Sequence, residues 1–343
     1  MSDPVRALDV QPVLRVRDLH VTYESRKRSV KPVLAVDGVS FDIDRGEVLA
    51  LVGESGCGKT SIARAVMRLV EPQRGSIEFL GHDITHLSTR ALRPLRDRLQ
   101  MVFQDPYESL DPRQSVFDIV AEPLAVHKRT VNPSEKRRVV FDALERAGLH
   151  PANELAMRYP HHLSGGQRQR VAIAAAMVLE PSLVVADEPV SMLDVSLRAG
   201  ILRLMLDLRE RRDLAYLFIT HDLSLAWVVA DRIAVVYLGR IVEVGPSDEV
   251  ITHPKHPYTR SLVSVIPVPE AGAAAEQILL QGETPSARAI PAGCRFHPRC
   301  WRFEALGRPE PCLIDDPALR AETHGVACHF ALDEVIDQEG ARR

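Results

Sequence analysis

The sequence predicts an α/β protein built on a P-loop NTPase core, and three stretches carry that prediction. In chain order they are GESGCGKT at 53–60, LSGGQ at 163–167 and LVVADE at 183–188. The first fits the glycine-rich pattern whose backbone N–H groups surround nucleotide phosphates. The third is an apolar run that ends in two acids, as a buried parallel strand does where it opens onto a site. Together the three stretches predict a domain that binds and hydrolyses ATP.

The glycine-rich loop lies between a predicted strand and a predicted helix. Residues 47–52 form a short apolar strand pattern, and 59–69 carry apolar residues on one helical face. Phosphates held by the loop would therefore lie at a helix N-terminus, where unpaired N–H groups favour anions. We expect Lys59 to direct its charge toward the β- and γ-phosphates and Thr60 to offer its hydroxyl to Mg²⁺. The nucleotide-binding residues predicted in this loop are Gly53, Glu54, Ser55, Gly56, Cys57, Gly58, Lys59, Thr60 and Ser61.

Asp187 and Glu188 close the strand pattern that begins at residue 183. Adjacent carboxylates at the end of a buried strand suit two tasks, which are holding Mg²⁺ and polarising the water that attacks the γ-phosphate. A surface Asp-Glu pair is the alternative, but four apolar residues precede this pair. We therefore expect Asp187 to contact Mg²⁺ together with Thr60, and Glu188 to act on the water.

The remaining patterns give the order of the other elements. Alternating apolar and polar residues predict strands within 13–52. Further strands are predicted at 75–80, 98–103 and 216–220, with a closing hairpin at 232–244. Charged helical patterns between prolines predict a helical lobe at 112–162. We expect an ATPase domain at 10–255 and, after it, a C-terminal module at 256–343 with a linker at 271–276.

Composition narrows the functional classes. The formal net charge of the 343 residues is −3, which gives no global attraction to nucleic acid. The basic runs at 26–28 and 136–138 are interpreted as solvated surface, so no nucleic-acid partner is expected. The sequence has no apolar stretch near the length of a membrane span and no signal-peptide pattern at its start. We expect a cytoplasmic chain whose membrane role comes through a partner.

The order of these stretches resembles the nucleotide-binding subunits of ATP-binding-cassette (ABC) transporters over nearly the whole chain. The resemblance implies an ABC cassette, with a mixed sheet core, an antiparallel β subdomain and the helical lobe. It implies that Tyr23 stacks on adenine, that Gln104 senses Mg²⁺ and the attacking water, and that His221 contacts the γ-phosphate, with Glu188 as general base. It also implies a signature segment that contacts the ATP of a partner subunit through Ser164, Gly165, Gly166 and Gln167.

Within that family the chain is most similar to the ATPases of oligopeptide and dipeptide importers. The stretches that carry this likeness are MVFQDPYESLDPR at 101–113, DEPVSMLDVSLRAGIL at 187–202, HPYTRSL at 256–262 and GCRFHPRC at 293–300. The first of them resembles the second of the two paralogous ATPases that such importers carry.

The family likeness also implies partners and a location. They are a paralogous ATPase in a head-to-tail pair (with a homodimer as the alternative), two membrane permeases and an extracytoplasmic solute-binding protein, at the cytoplasmic side of the cell membrane. Nickel or another small solute remains open as the cargo. A non-transport ABC ATPase is the alternative from another class, but such chains carry two cassettes or a coiled-coil insertion, and this chain has neither.

Four of the five cysteines cluster near the C-terminus with the spacing C-x₅-C-x₁₁-C-x₁₅-C. Disulfides are disfavoured in a cytoplasmic protein, so clustered thiols indicate either a metal site or buried apolar packing. Zinc sites usually contain tight C-x₂₋₄-C pairs, which this spacing lacks, whereas iron–sulfur clusters accept more varied loops. Some importer ATPases of the resembled family carry a [4Fe–4S] cluster here, which implies the ligands Cys294, Cys300, Cys312 and Cys328. A Zn²⁺ site that adds nearby histidines is the alternative, and its candidates are His297, His324 and His329.

Overall fold

The protein is described by a computed structural model that covers residues 11–24, 31–129, 132–266, 277–320 and 323–332. Predicted features that fall wholly or partly outside these ranges include the first residue of the ATPase domain, the basic run at 26–28, residues 130–131 of the helical lobe, the linker at 271–276 and the end of the C-terminal module at 333–343.

The strands of the described residues form two sheets. In chain order they are β1 (Leu14–Tyr23), β2 (Val33–Ile43), β3 (Val48–Val52), β4 (Arg74–Phe79), β5 (His82–Asp83), β6 (Leu99–Val102), β7 (Leu183–Asp187), β8 (Ala215–Thr220), β9 (Arg232–Tyr237), β10 (Arg240–Pro246) and β11 (Gly325–Val326). The larger, seven-stranded sheet has the order β11-β10-β9-β3-β8-β7-β6, and the four-stranded sheet has the order β2-β1-β4-β5.

The two sheets differ in strand direction. Strands β6, β7, β8, β3 and β9 run parallel, and β9, β10 and β11 are paired antiparallel. All pairs in the smaller sheet are antiparallel. The predicted mixed sheet with an antiparallel β subdomain is therefore confirmed.

The central strands are covered on both faces, which explains their continuous apolar sequences. Every residue of β3, β7 and β8 is buried. In β3, Val48, Ala50 and Val52 belong to one core cluster, while Leu49 and Leu51 belong to the other. Because successive side chains of a strand point to opposite faces, a strand between two cores needs apolar residues at every position.

The parallel strands end at a common edge of the sheet. Val52 at the end of β3 is level with Thr220 at the end of β8, and Asp187 at the end of β7 is level with Ile219. Val102 at the end of β6 pairs with Ala186. The loops that follow these four strands therefore emerge side by side.

Helices cover the faces of the larger sheet and form the lobe. They are α1 (Lys59–Val66), α2 (Thr89–Arg96), α3 (Pro106–Ser109), α4 (Val116–Val126), α5 (Pro133–Arg146), α6 (Ala152–Leu155), α7 (Gly165–Met177), α8 (Val195–Arg212), α9 (Leu223–Val229), α10 (Ser247–Thr252), α11 (Pro257–Ser264), α12 (Trp301–Ala305) and α13 (Pro311–Ile314). Within those described residues, no helix combines the length and the hydrophobicity needed to cross a bilayer.

Helices α4, α5 and α6 lie in the range predicted as a helical lobe; α4 and α5 pack against α7, and α6 packs against α5. Polar caps fix where its helices begin. The Ser115 hydroxyl accepts a hydrogen bond from the Asp118 N–H (3.2 Å) at the start of α4, and the Asn132 side chain accepts one from the Glu135 N–H (2.8 Å) at the start of α5. Such caps satisfy N–H groups that have no partner inside the helix.

The C-terminal region packs directly onto the larger sheet. Strand β11 extends that sheet by pairing with β10. Tyr237 of β9 lies against Tyr258 of α11 and against Phe296, with ring centroids 4.8 and 5.2 Å apart. Cys294 and Cys312 belong to the same core cluster as these strands. In the described residues this region therefore shares the core of the ATPase domain, whereas the boundary at 255/256 stays a prediction.

Candidate active site

A cavity of about 700 Å³ opens at the edge where the parallel strands end. It is lined by residues from the glycine-rich loop, from the segments after β6, β7 and β8, from β1 and β2, and from the C-terminal region. They are Tyr23, Val33, Ala35, Glu54, Ser55, Gly56, Gly58, Lys59, Thr60, Ser61, Gln104, Glu188, His221 and Ala287. Residues that lie far apart in the sequence thus meet in one pocket.

The glycine-rich loop connects β3 to α1 through a backbone that needs glycine. Gly58 is the N-cap of α1 and has a φ of 111°. A Cβ atom at this position would lie 2.3 Å from the Ala35 carbonyl oxygen, so a side chain is excluded by both conformation and space. The start of α1 is thereby exposed to the pocket without a covering side chain.

Lys59 lies across the interior of the loop. Its ammonium group donates to the carbonyl oxygens of Gly53 (2.7 Å) and Glu54 (3.0 Å), and the residue is only 5% exposed. It also contacts the Cys57 sulfur at 3.7 Å, so the hydrogen-bond partners of this buried cation among the described residues are uncharged groups. The first helical turn and this ammonium together form a site that fits a phosphate chain.

Thr60 and Asp187 form the second part of the pocket. The Thr60 hydroxyl donates to a carboxylate oxygen of Asp187 at 3.3 Å. Burial raises the pKa of Asp187, and the Thr60 hydrogen bond offsets part of that effect. A hydroxyl and a carboxylate at this spacing are the oxygen ligands that Mg²⁺ prefers, so the residues fit the predicted metal.

Glu188 is held between two other predicted residues. One carboxylate oxygen accepts a hydrogen bond from the Gln104 amide at 3.2 Å, and the other lies 3.2 Å from Nδ1 of His221. The backbone of Glu188 has a φ of 47°, and its N–H donates to the Ile219 carbonyl oxygen at 2.9 Å. Glu188 thereby lines the pocket beside Gln104 and His221.

The signature segment begins α7 and is preformed within the chain. The Ser164 hydroxyl accepts from the Gln167 N–H (3.3 Å), and the Ser164 N–H donates to the Gln167 side chain (3.0 Å). This reciprocal arrangement is the capping box, and Ser164 is the N-cap of α7. Of the described residues that line the nucleotide pocket, none comes from Ser164, Gly165, Gly166 or Gln167.

The structure brings most of the predicted nucleotide ligands together, with one clear difference. The Cys57 side chain is 1% exposed and lies in the core beneath the loop, where burial raises its pKa. Its side chain therefore faces away from the pocket. Sequence reasoning missed Val33, Ala35 and Ala287, because apolar residues carry no chemical signature and Ala287 lies far along the chain.

The predicted metal site at the C-terminal cysteines is not formed as such. In the part of the chain that the structure describes, no group of three or more His, Cys, Asp or Glu side chains is arranged to hold a metal ion. The four thiols nevertheless line one small pocket, whose volume is about 20 Å³. Burial raises the pKa of Cys294 to about 12 and that of Cys328 to about 11.

Two family models match the sequence. The model described as ABC transporter matches residues 36–191, which contain the loop, the signature and the acidic strand end. The model described as oligopeptide/dipeptide transporter, C-terminal region, matches residues 242–305, which include Cys294 and Cys300.

Two curated relatives match almost end to end. The oligopeptide transport ATP-binding protein AppF of Bacillus subtilis is 44% identical over 333 residues, which cover 94% of this chain and 99% of that protein. The dipeptide transport ATP-binding protein DppF of Haemophilus influenzae is 44% identical over 329 residues, covering 94% and 97%.

Solved structures share the fold of the ATPase part. One is cbiO1 from Clostridium perfringens, described as part of an ABC transporter complex, with 30% identity and a TM-score of 0.62 over 71% of this chain and 91% of that one. Another is a dimeric ATP-binding cassette bound to ADP and Pi, with 27% identity and a TM-score of 0.62 over 68% and 98%.

Replacing Lys59 by Ala removes the buried ammonium from the loop. We expect nucleotide affinity to fall roughly tenfold or more, because a charge-assisted contact to phosphate is lost. Titration of the purified full chain with a fluorescent ATP analogue and Mg²⁺ measures the change. Lys128→Ala, on an exposed lysine of the helical lobe, is the matched control and should bind as the wild type does. Equal affinities of Lys59→Ala and wild type would contradict the role of the loop.

Glu188→Gln keeps the shape of the side chain but removes the base. We expect ATP binding to persist and turnover to fall roughly 10²–10⁴-fold, the usual contribution of a positioned base. Phosphate release and ATP binding should be measured on the same preparation. Glu210→Gln, on the exposed face of α8, controls for the loss of one carboxylate. Normal hydrolysis by Glu188→Gln would show that another group is the base.

Proposed function

Because this chain belongs to the ABC transporter family of ATP-binding proteins, with the match extending through its oligopeptide/dipeptide-type C-terminal region, we propose that it energises the import of di- or oligopeptides. Its own activity is ATP hydrolysis. The observation that carries this activity is the convergence of Lys59, Thr60, Asp187 and Glu188 in one pocket at the edge of the larger sheet. Peptides as the cargo are supported by the near full-length likeness to the two peptide-transport relatives.

The pocket residues have separate roles in hydrolysis. Lys59 and the N–H groups at the start of α1 bind the phosphates, and Thr60 with Asp187 would hold Mg²⁺, which neutralises phosphate charge when bound. Glu188 accepts the proton of the attacking water. Gln104 and His221 contact the two oxygens of Glu188 and thereby fix its orientation. Tyr23 lies at the pocket wall beside Val33, in a position suited to stacking on the base.

The chain works in a pair of ATPase subunits. Its signature residues lie outside its own pocket but expose a helix N-terminus that suits an anion. In the proposed head-to-tail pair, Ser164–Gln167 of one subunit would meet the ATP held by the other. We propose a paralogous ATPase as the native partner, with a homodimer as the alternative.

The pair would act on two membrane permeases, with an extracytoplasmic solute-binding protein delivering the cargo. This chain would lie at the cytoplasmic face of the membrane and reach it through the permeases. Binding of ATP closes the pair and hydrolysis opens it, so the permeases alternate between two orientations.

Transport itself tests the proposal. In cells that express the chain together with permease and binding-protein subunits of a peptide importer, uptake of labelled di- and oligopeptides should require hydrolysis by this chain. Glu188→Gln should abolish that uptake while the complex still assembles, because only the base is lost. Uptake of nickel or another small solute in place of peptides would show that this solute, and not a peptide, is the cargo. If Glu188→Gln leaves the uptake of every tested solute unchanged, the proposal that this chain energises import is contradicted.

We further propose that Cys294, Cys300, Cys312 and Cys328 bind a [4Fe–4S] cluster. Their convergence on one pocket supports it, since a cluster of this type is held by four thiolates.

The zinc alternative stays open, because each nearby histidine makes the hydrogen bond given below through one ring nitrogen, and a metal-bound histidine commonly makes such a bond through its second nitrogen. His297 Nδ1 lies 2.8 Å from the Cys294 carbonyl oxygen, and His329 Nε2 lies 2.8 Å from the Asp315 carbonyl oxygen. His324 Nε2 lies 2.7 Å from the Glu243 carboxylate.

Anaerobic purification tests the cluster. We expect a brown protein with about four iron and four sulfide per chain, since four thiolates suit this cluster type. Cys312→Ser should lower the iron content, whereas Cys57→Ser should not, because Cys57 lies under the nucleotide loop. A colourless protein with one zinc, or with no metal, would refute the cluster and leave the ATPase activity untouched.

A further inference from the structure

Side chains of the C-terminal region bind Glu54 of the glycine-rich loop through hydrogen bonds and an ion pair. The Arg299 guanidinium donates two hydrogen bonds to the Glu54 carboxylate, at 2.9 and 3.1 Å, one to each oxygen. The Thr284 hydroxyl donates to the same carboxylate. Arg299 also bonds Thr284 at 3.1 Å, so the three side chains form a closed set. Glu54 is thus held by two residues that lie more than two hundred positions later in the chain.

This contact is enclosed and well fixed. The Arg299 side chain is 8% exposed and that of Glu54 is 27% exposed. Arg299 ends the short 3-10 turn His297–Arg299, which directly precedes α12. Two parallel N–H···O bonds between a guanidinium and a carboxylate restrict both groups in plane and direction. This paired contact therefore restricts the position of Glu54 and of the loop that carries it.

The backbone of the loop is held from the same side. The Glu54 N–H donates to the Tyr258 hydroxyl at 3.1 Å, and Tyr258 belongs to α11. The Ala287 carbonyl oxygen accepts from the Leu34 N–H at 3.2 Å, which fixes the segment after Thr284 to β2 at the pocket wall. Both contacts come from the C-terminal region.

Arg299 compensates the negative charge of the partly buried Glu54 carboxylate. Burial alone would raise the pKa of Glu54, but hydrogen bonds from Arg299 and Thr284, with the Arg299 charge, bring it below its usual value. The carboxylate is therefore ionised, on a loop that must bind the negatively charged phosphates of ATP. Without a partner it would repel them and compete for Lys59, whose ammonium bonds the Glu54 carbonyl oxygen.

We propose that Arg299 is a positioning residue of the ATP site, which neutralises and orients Glu54 so that the loop binds phosphate with full affinity. Thr284 supports it in this role. The C-terminal region is accordingly part of the nucleotide site. The inference rests on ATP binding by this loop and is independent of the transported solute.

Charge rescue tests the proposal. ATP with Mg²⁺ is titrated against the full chain as wild type, Arg299→Gln and the double variant Arg299→Gln/Glu54→Gln. We expect Arg299→Gln to weaken ATP binding roughly tenfold, because it leaves an uncompensated carboxylate beside the phosphates. The double variant should regain most of that affinity, since the repelling charge is gone. Unchanged affinity in Arg299→Gln, or no recovery in the double variant, would overturn the proposal.

Arg295→Lys is the matched control within the same segment. Arg295 is also buried, donates to the Leu238 carbonyl oxygen at 2.6 Å and pairs with Asp37 on β2, but it does not contact the loop. This variant should lower the melting temperature without changing ATP affinity. An equal loss of affinity in Arg295→Lys would assign the effect to general packing of the C-terminal region and refute a specific role for Arg299.

Thr284→Val decides the matter if Arg299→Gln does not fold. It removes one hydrogen bond to Glu54 and keeps the shape of the side chain, so ATP affinity should fall in the same direction by a smaller factor. Wild-type affinity in Thr284→Val would then overturn the proposal. Iron content and melting temperature are recorded for every variant. Failure of the wild type itself to bind ATP would instead contradict the proposed function.

Discussion

The alignment of parallel strand ends is the constraint on which the site depends. Strands β3, β8, β7 and β6 are neighbours in register, so the segments that follow them emerge at one edge. Lys59, His221, Glu188 and Gln104 each come from a different one of these segments. Two apolar cores hold the strands from both faces, and the register of each strand is fixed because a slip by one residue would exchange the faces. The stability of the sheet thus sets the precision of the chemistry.

The acids around this edge each have a hydrogen-bonding partner. Asp187 is paired with a hydroxyl, Glu188 lies between an amide and an imidazole, and Glu54 is paired with a guanidinium. The Lys59 ammonium bonds carbonyl oxygens, which carry no net charge. Of the acids named here, Glu54 has its charge compensated by a buried cation, and this removes one source of repulsion from the phosphate site.

The C-terminal region contributes to this balance because it packs on the sheet. The aromatic contacts of Tyr237 with Tyr258 and Phe296 bring the segment that carries Arg299 beside the loop. The same segment carries Cys294 and Cys300, which line the thiol pocket. The nucleotide site and the thiol pocket are consequently neighbours. The segment HPRC at 297–300 carries both Arg299, which contacts the loop, and Cys300, which lines the thiol pocket.

The sequence alone determined the ATPase core and most of its site. The glycine-rich loop and the acidic strand end are local patterns, because each needs particular residues at fixed spacing to meet backbone geometry, and the strands that carry them, β3 and β7, form as expected. The partners of Glu54 and the inward turn of Cys57 were decided only by tertiary structure. Arg299 is an ordinary charged residue in the sequence, and its role arises because the fold brings it to the loop across more than two hundred residues. Long-range pairing of this kind leaves no periodicity or spacing from which it could be predicted. Local hydrogen bonding, by contrast, needs particular residues at fixed spacing and can be predicted from them.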